Sequence, residues 1–188
     1  MINVQKIKPT RTCAKSYSDY RSFRGYLKGD FNNRCGYCDD PDLHCGQEIS
    51  YHIDHFKPKS KFPKLETNYD NLVYSCPYCN RAKSDKWKEK NGFIDPCSRE
   101  YDENLQRNDK GEIQSTTERG KYIVQNLQLY LRRHKLIWAL AILGKKKLQL
   151  DESLDAMPTN DPNELKILRK FKEIQEKIDA YTAGGLGE

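Results

Sequence analysis

Long apolar runs are what this sequence most conspicuously lacks. No segment of its 188 residues approaches the roughly 18 consecutive apolar residues that a membrane-spanning helix requires. Residues 1 to 9 likewise contain no apolar secretory-signal core. These absences argue against a helical membrane anchor within these residues and predict a soluble, cytoplasmic chain with no membrane partner. No internal repeat is visible, which excludes a solenoid or array. Apolar residues make up 36% of the chain and charged ones 32%, so there is material for one modest core, while 11% aromatic residues argue against disorder. Basic residues are missing from one stretch: residues 35–56 carry five acids and no Lys or Arg. The flanks are the reverse, with eight bases to two acids in residues 1–34 and nine to four in residues 57–90. Basic segments around an acidic one suit a polyanion held by cationic arms while a central carboxylate holds a divalent cation.

Seven cysteines is an odd number, and four of them form two Cys-x-x-Cys pairs, Cys35/Cys38 and Cys76/Cys79. That pattern fits zinc better than a disulfide framework and implies a reducing compartment. Two such knuckles complete a tetrahedral four-thiolate site with no open coordination position, so zinc here is structural. It would clamp the two ends of the module between the pairs. Cys13, Cys45 and Cys97 lack such a context and read as plain thiols, with a lesser metal role conceivable for His44 and Cys45 beside the acidic turn.

The periodicities predict an α+β fold: a small ββα core clamped by the four-cysteine zinc site, with additional N- and C-terminal helices. Residues 1–34 form a basic segment with a helix, 35–97 the zinc-clamped module and 98–188 a mainly helical region. Ile2, Val4 and Ile7 anchor an extended start. Tyr20, Phe23, Leu27 and Phe31 lie at helical spacing over 16–31, with Ser16 or Ser18 as cap. Alternation over 48–56 predicts a strand with Ile49, Tyr51 and Ile53 on one face. A polar connection, 57–70, leads to a second strand at 72–75 and a helix from Pro77 to about Trp87. Residues 93–96 read as a short return segment and 98–118 as polar linker. A helix over 117–143 should stop at Gly144. A last helix is capped by Asp161 with Pro162 behind it, and buries Leu165, Leu168, Phe171, Ile174 and Ile178. The six terminal residues should fray.

Within the module the residue types match the needs of phosphodiester hydrolysis: a base, a metal to neutralise developing charge, and cations for the backbone. His55 is the candidate base, since neutral imidazole accepts a proton near pH 7. Asp54 and Asn80 offer oxygen ligands to a hard ion such as Mg²⁺, with Mn²⁺ as substitute. Asn71 either orients His55 or braces the loop. Strand parity leaves an ambiguity: His52 and Asp54 share a face in a regular strand while His55 points away. Either the strand ends early and His55 turns back, or His52 is the functional imidazole; His52 stands as the auxiliary candidate. Arg81 and Lys83 are the preferred phosphate contacts.

Three blocks then stand in order: Ile53-Asp54-His55-Phe56-Lys57-Pro58-Lys59-Ser60, Tyr69-Asp70-Asn71-Leu72-Val73 and Cys79-Asn80-Arg81-Ala82-Lys83-Ser84-Asp85. Together they resemble the HNH nucleases with a ββα-metal core, over residues 35–85. The resemblance implies His55 as general base, Asn71 as the middle Asn, and Asn80 as a metal ligand where other members carry the final His. It also implies Asp54 as the second ligand and zinc on the four cysteines. A broader likeness joins the basic N-terminal helix, the Phe93-Ile94-Asp95-Pro96 segment and the helix containing Leu127-Gln128-Leu129 and Arg132-Arg133. These resemble the stand-alone HNH proteins of bacterial Septu- and retron-type anti-phage systems, which implies DNA as substrate and an ATPase as partner. The competing reading is a zinc-clamped nucleic-acid-binding subunit without catalysis, whose signature would be loss of the imidazole at position 55.

Overall fold

Two antiparallel strands and one helix carry the candidate site. In the computed structural model, which describes residues 2–158 and 161–183, strand β2 (His52–His55) pairs with β3 (Leu72–Ser75), His52 opposite Ser75 and His55 opposite Leu72. All four residues of β3 are buried. Helix α3 (Pro77–Lys83) follows at once, with Cys76 as extended N-cap and Pro77 in the first turn, where its missing N–H is no loss. It stops at Lys83, short of the expected Trp87, because Ser84 adopts φ +49°. Strand, strand and helix thus form the expected small core, and the α+β class holds.

Upstream, a 3-10 turn over Tyr20–Phe23 runs into helix α1 (Arg24–Asp30). The start is later than the pattern suggested because Asp19, not Ser16 or Ser18, caps it by accepting from Arg21 N–H at 2.9 Å. Phe23, Leu27 and Phe31 are buried as the spacing required. The expected strand over 48–56 is halved. Gly46 and Gln47 take φ +77° and +59°, which turns the chain into a short helix α2 (Gln47–Ser50), and Ile49 is 95% exposed. Only the four residues that find partners on β3 remain a strand.

Residues 98–118 are not a linker. They fold as helix α4 (Glu100–Asn104) and strands β4 (Leu105–Arg107) and β5 (Ile113–Ser115), and β4 also pairs with the N-terminal strand β1 (Ile2–Asn3). The few apolar side chains there, Tyr101, Leu105 and Ile113, are all buried; their polar neighbours concealed a genuine hairpin. Of the proposed N-terminal anchors Val4 is buried, whereas Ile2 and Ile7 are exposed.

The helix expected over 117–143 is two helices. Thr117 caps α5 (Glu118–Asn126) by accepting from Gly120 N–H; then Gln128, at φ +54°, breaks the chain. Helix α6 (Arg132–Asp155) runs straight through Gly144. A lone glycine costs a helix about 1 kcal/mol relative to alanine, too little to end one.

Residues 1–134 and 135–188 separate into two units. The first holds the core just described. In the second, helix α7 (Glu164–Thr182) meets α6 through Lys147, whose Nζ donates to Gln175 Oε1 at 2.6 Å and lies 5.0 Å from the Phe171 ring centroid. Asp161 accepts from Asn163 N–H, one turn before the helix begins, rather than capping it directly. Leu165 and Leu168 are exposed and Phe171, Ile174 and Ile178 are half-buried, so no residue of the expected stripe is fully buried. Of the terminal residues expected to fray, 184–188 lie outside the described residues. Among the described residues no helix is long and apolar enough to cross a membrane.

Candidate metal centre and nuclease cleft

The cysteine pairs converge as their spacing required. Cys35, Cys38, Cys76 and Cys79 are all buried, and their sulfurs lie within 4.8 Å of one another. Four thiolates about 2.3 Å from a tetrahedral zinc stand roughly 3.8 Å apart; Cys38 Sγ and Cys76 Sγ are 3.8 Å apart. The donor set and its size therefore fit a zinc ion.

Two local features make this possible. Cys76 sits at the N-terminus of α3 and accepts from Cys79 N–H at 3.4 Å, which ties the two cysteines of the second knuckle together. Gly36 lets the first knuckle press against the core: a Cβ there would lie 2.6 Å from the Phe31 ring and 2.9 Å from Val73.

A zinc ion with four thiolates carries two net negative charges, and two arginines stand near the knuckles, Arg107 buried and Arg133 half-buried. Arg107 is buried and donates to Cys38 O at 2.6 Å and Gly111 O at 2.7 Å. Asp40, near Cys38, accepts from Arg133 at 2.8 Å and from His134 Nδ1 at 2.7 Å. The Arg133 guanidinium lies 3.7 Å from the Tyr78 ring centroid and also reaches Cys45 Sγ. Cys45 is thus engaged by an arginine, and His44 is exposed. Asp40, Arg107 and His134 were not foreseen as parts of this site. Asp40 stands two residues from Cys38, but the other two come from distant elements, with no local signature.

Beside the knuckles lies a cleft of about 310 Å³ lined by Tyr20, His52, Asp54, His55, Lys59 and Asn80 among others. Asp54 and His55 both line it, although they alternate on β2. His52 and Ile53 line it too, so all four residues of β2 border the cleft, and the chain departs immediately after His55. Asn71 controls that departure: its Oδ1 accepts from Lys57 N–H at 2.8 Å, and its Nδ2 donates to Lys57 O and Leu65 O. Of its two proposed uses, these contacts match bracing the loop.

His55 Nε2 lies 2.9 Å from Glu66 O. A carbonyl can only accept, so Nε2 carries the proton and Nδ1 keeps the lone pair. The imidazole also meets the Tyr20 ring edge-on, centroids 4.8 Å apart. Burial pushes the His55 pKa below its ordinary value, so the ring is neutral at pH 7. His52 lines the same cleft and is exposed.

Asp54 is buried and tightly held. Its Oδ2 accepts from Tyr37 O–H at 2.5 Å, and Lys83 Nζ lies 3.0 Å from Oδ2 and 3.2 Å from Oδ1. Burial pushes the Asp54 carboxyl upward, opposed by the Lys83 ammonium, and burial beside Asp54 drives the Tyr37 phenol well above its ordinary range, keeping it a donor. An ionised carboxylate accepts about four hydrogen bonds; with these contacts Oδ1 retains capacity for a cation. Asn80, partly exposed on α3, adds an amide to the same cleft. One carboxylate and one amide fit a hard ion that keeps most of its waters.

Lys83 is the principal correction. As a candidate phosphate contact it should face solvent, yet it is 0% exposed, bound to Asp54 and donating to His55 O at 2.6 Å. It is the last residue of α3, where its side chain folds inward beneath the strand end. Arg81 does face solvent.

A four-cysteine cluster thus stands beside a cleft holding a tautomer-fixed histidine, a carboxylate and an amide, and residues 35–86 match the family model for HNH endonuclease. The chain therefore carries an HNH endonuclease domain. Two curated relatives are both Septu protein PtuB. The one from Bacillus thuringiensis is 28% identical over 130 residues, covering 69% of this chain and 49% of the relative. The one from Bacillus mycoides (strain KBAB4) is 28% identical over 213 residues, covering 92% and 67%. The chain thus spans about half the length of the first relative and about two thirds of the second.

Proposed function

We propose that this chain is a metal-dependent endonuclease that hydrolyses DNA phosphodiester bonds, acting in anti-phage defence with an ATPase partner. The observation that carries the catalytic reading is the His55 Nε2 bond to Glu66 O, which leaves Nδ1 as a proton acceptor on a cleft shared with Asp54 and Asn80. In this reading His55 Nδ1 takes the proton of the attacking water. Asn71 fixes the loop that carries Glu66, and so the imidazole. Asp54 and Asn80 would hold Mg²⁺ or Mn²⁺, which when bound neutralises charge on the phosphate and leaving oxygen. Lys59 lines the cleft and Arg81, next to Asn80, faces solvent; both suit backbone phosphates, and His52 is the auxiliary imidazole on the same cleft. One centre serves one strand per event, so a double-strand break needs a second copy or encounter. The defence role and the partner rest on the likeness to Septu protein PtuB.

The test is plasmid nicking by purified protein and by His55→Ala, each with Mg²⁺ or Mn²⁺. Loss of a positioned general base lowers the rate about 10²- to 10⁴-fold. Equal nicking by both proteins would sink the assignment. If neither cuts alone, the assay is repeated with the ATPase present.

A further inference from the structure

Tyr37 lies inside the first zinc knuckle, between Cys35 and Cys38, yet its hydroxyl ends on Asp54 in the nuclease cleft. Both residues are buried. The Tyr37 backbone is fixed on several sides. Its carbonyl accepts from Tyr101 O–H at 2.6 Å, and the neighbouring Gly36 N–H donates to Tyr74 O on β3 at 2.8 Å. Gly36 O in turn accepts from Gln5 Nε2 at 2.7 Å. The two flanking cysteines are candidate ligands of the zinc, so a bound ion would clamp the same backbone from the other side. The hydroxyl is thus presented from a rigid mount. Of the Asp54 oxygens, Oδ2 takes both Tyr37 and Lys83 while Oδ1 takes Lys83 alone. Tyr37 therefore distinguishes the two oxygens, occupying one and leaving the other the less engaged. Without the hydroxyl, Lys83 alone would set the carboxylate, and a flexible ammonium tolerates rotation about the Cβ–Cγ bond that a short bond from a fixed phenol does not.

We infer that Tyr37 is a positioning residue for the divalent-cation site: carried on the zinc knuckle, it sets the orientation in which Asp54 takes up the cation, so that the two metal sites are mechanically joined. This rests on the reading of Asp54 as a cation ligand. Groups that orient a ligating carboxylate typically contribute 10- to 100-fold to metal affinity.

The experiment measures Mn²⁺ binding to the zinc-loaded, full-length protein by calorimetry, in the absence of DNA, for the parent, Tyr37→Phe and Asp54→Asn. Zinc content and nicking as a function of Mn²⁺ are followed in parallel. Tyr37→Phe keeps the ring and removes only the hydroxyl. The expected result is a full complement of zinc, a Mn²⁺ dissociation constant about tenfold or more weaker, and nicking that recovers at high Mn²⁺. Unchanged Mn²⁺ affinity with zinc retained would overturn the inference. So would loss of zinc from Tyr37→Phe, which would assign the hydroxyl to the knuckle's fold. The underlying reading fails separately: if Asp54→Asn binds Mn²⁺ as the parent does, Asp54 is not a ligand, whatever Tyr37→Phe shows.

Discussion

Replacing Lys83 by methionine tests the structure where it departs furthest from a surface role for that residue. Methionine keeps much of the chain's length and removes only the ammonium, which bonds Asp54 and His55 O with no solvent exposure. Removing one partner of a buried ion pair costs about 3–5 kcal/mol, because the remaining charge is stranded. Asp54 has an escape, since it can take up a proton. From an ordinary carboxylate pKa near 3.9 that costs about 4 kcal/mol at pH 7, which caps the charge contribution. The expected loss at pH 7 is therefore about 3–4 kcal/mol, a fall in melting temperature on the order of 10 °C for a chain of this size. The cap falls by about 1.4 kcal/mol for each unit the pH is lowered, so the gap between variant and parent should narrow at pH 6. The assay is thermal melting followed by circular dichroism, with zinc present and no Mg²⁺ or Mn²⁺. Adding Asp54→Asn to the variant removes the stranded charge and should recover at least half of the loss. A Lys83→Met protein that melts within about 1 kcal/mol of its parent would refute the buried pair.

Three further outcomes follow from the same geometry. Burial lowers the His55 pKa, so the base stays neutral below the usual imidazole range and the acid limb of nicking activity should lie below about pH 6.5. The same shift means that stability is intact above about pH 6.5 and is lost as the pH falls through the lower folded-state value; an activity limb above pH 7 would contradict the assignment. Gly36→Ala, placing a methyl 2.6 Å from Phe31, should cost about 1–3 kcal/mol by overpacking, and an unchanged melting temperature would contradict the close approach. Stripping zinc with a chelator should abolish the cooperative transition of the first unit, since structural zinc contributes on the order of 10 kcal/mol of folding free energy; a chelated protein with unaltered melting would rule out a structural ion.

The sequence by itself determined the parts whose chemistry is local. Two Cys-x-x-Cys pairs predict four thiols gathered at one place, and their sulfurs do converge. Leu72–Ser75 followed by Cys76-Pro77 carries its own strand, cap and helix start. Tertiary structure decided what depends on residues far apart. The left-handed Gly46–Gln47 pair cut the first strand to the four residues that had partners on β3, an outcome that alternation in one strand cannot encode. Residues 98–118 looked like linker because their few apolar groups are buried only against segments remote in sequence. Lys83 reads as one more basic residue in a basic stretch until folding brings it beneath Asp54, 29 positions away. The tautomer of His55 depends on a carbonyl eleven residues on, held there by a loop that Asn71 braces. Residue types and spacing suffice to name a base, a ligand or a knuckle, because those are properties of side chains. Which ones face water, which proton sits on which nitrogen and which tyrosine reaches which carboxylate depend on long-range packing, and that exists only in the folded chain.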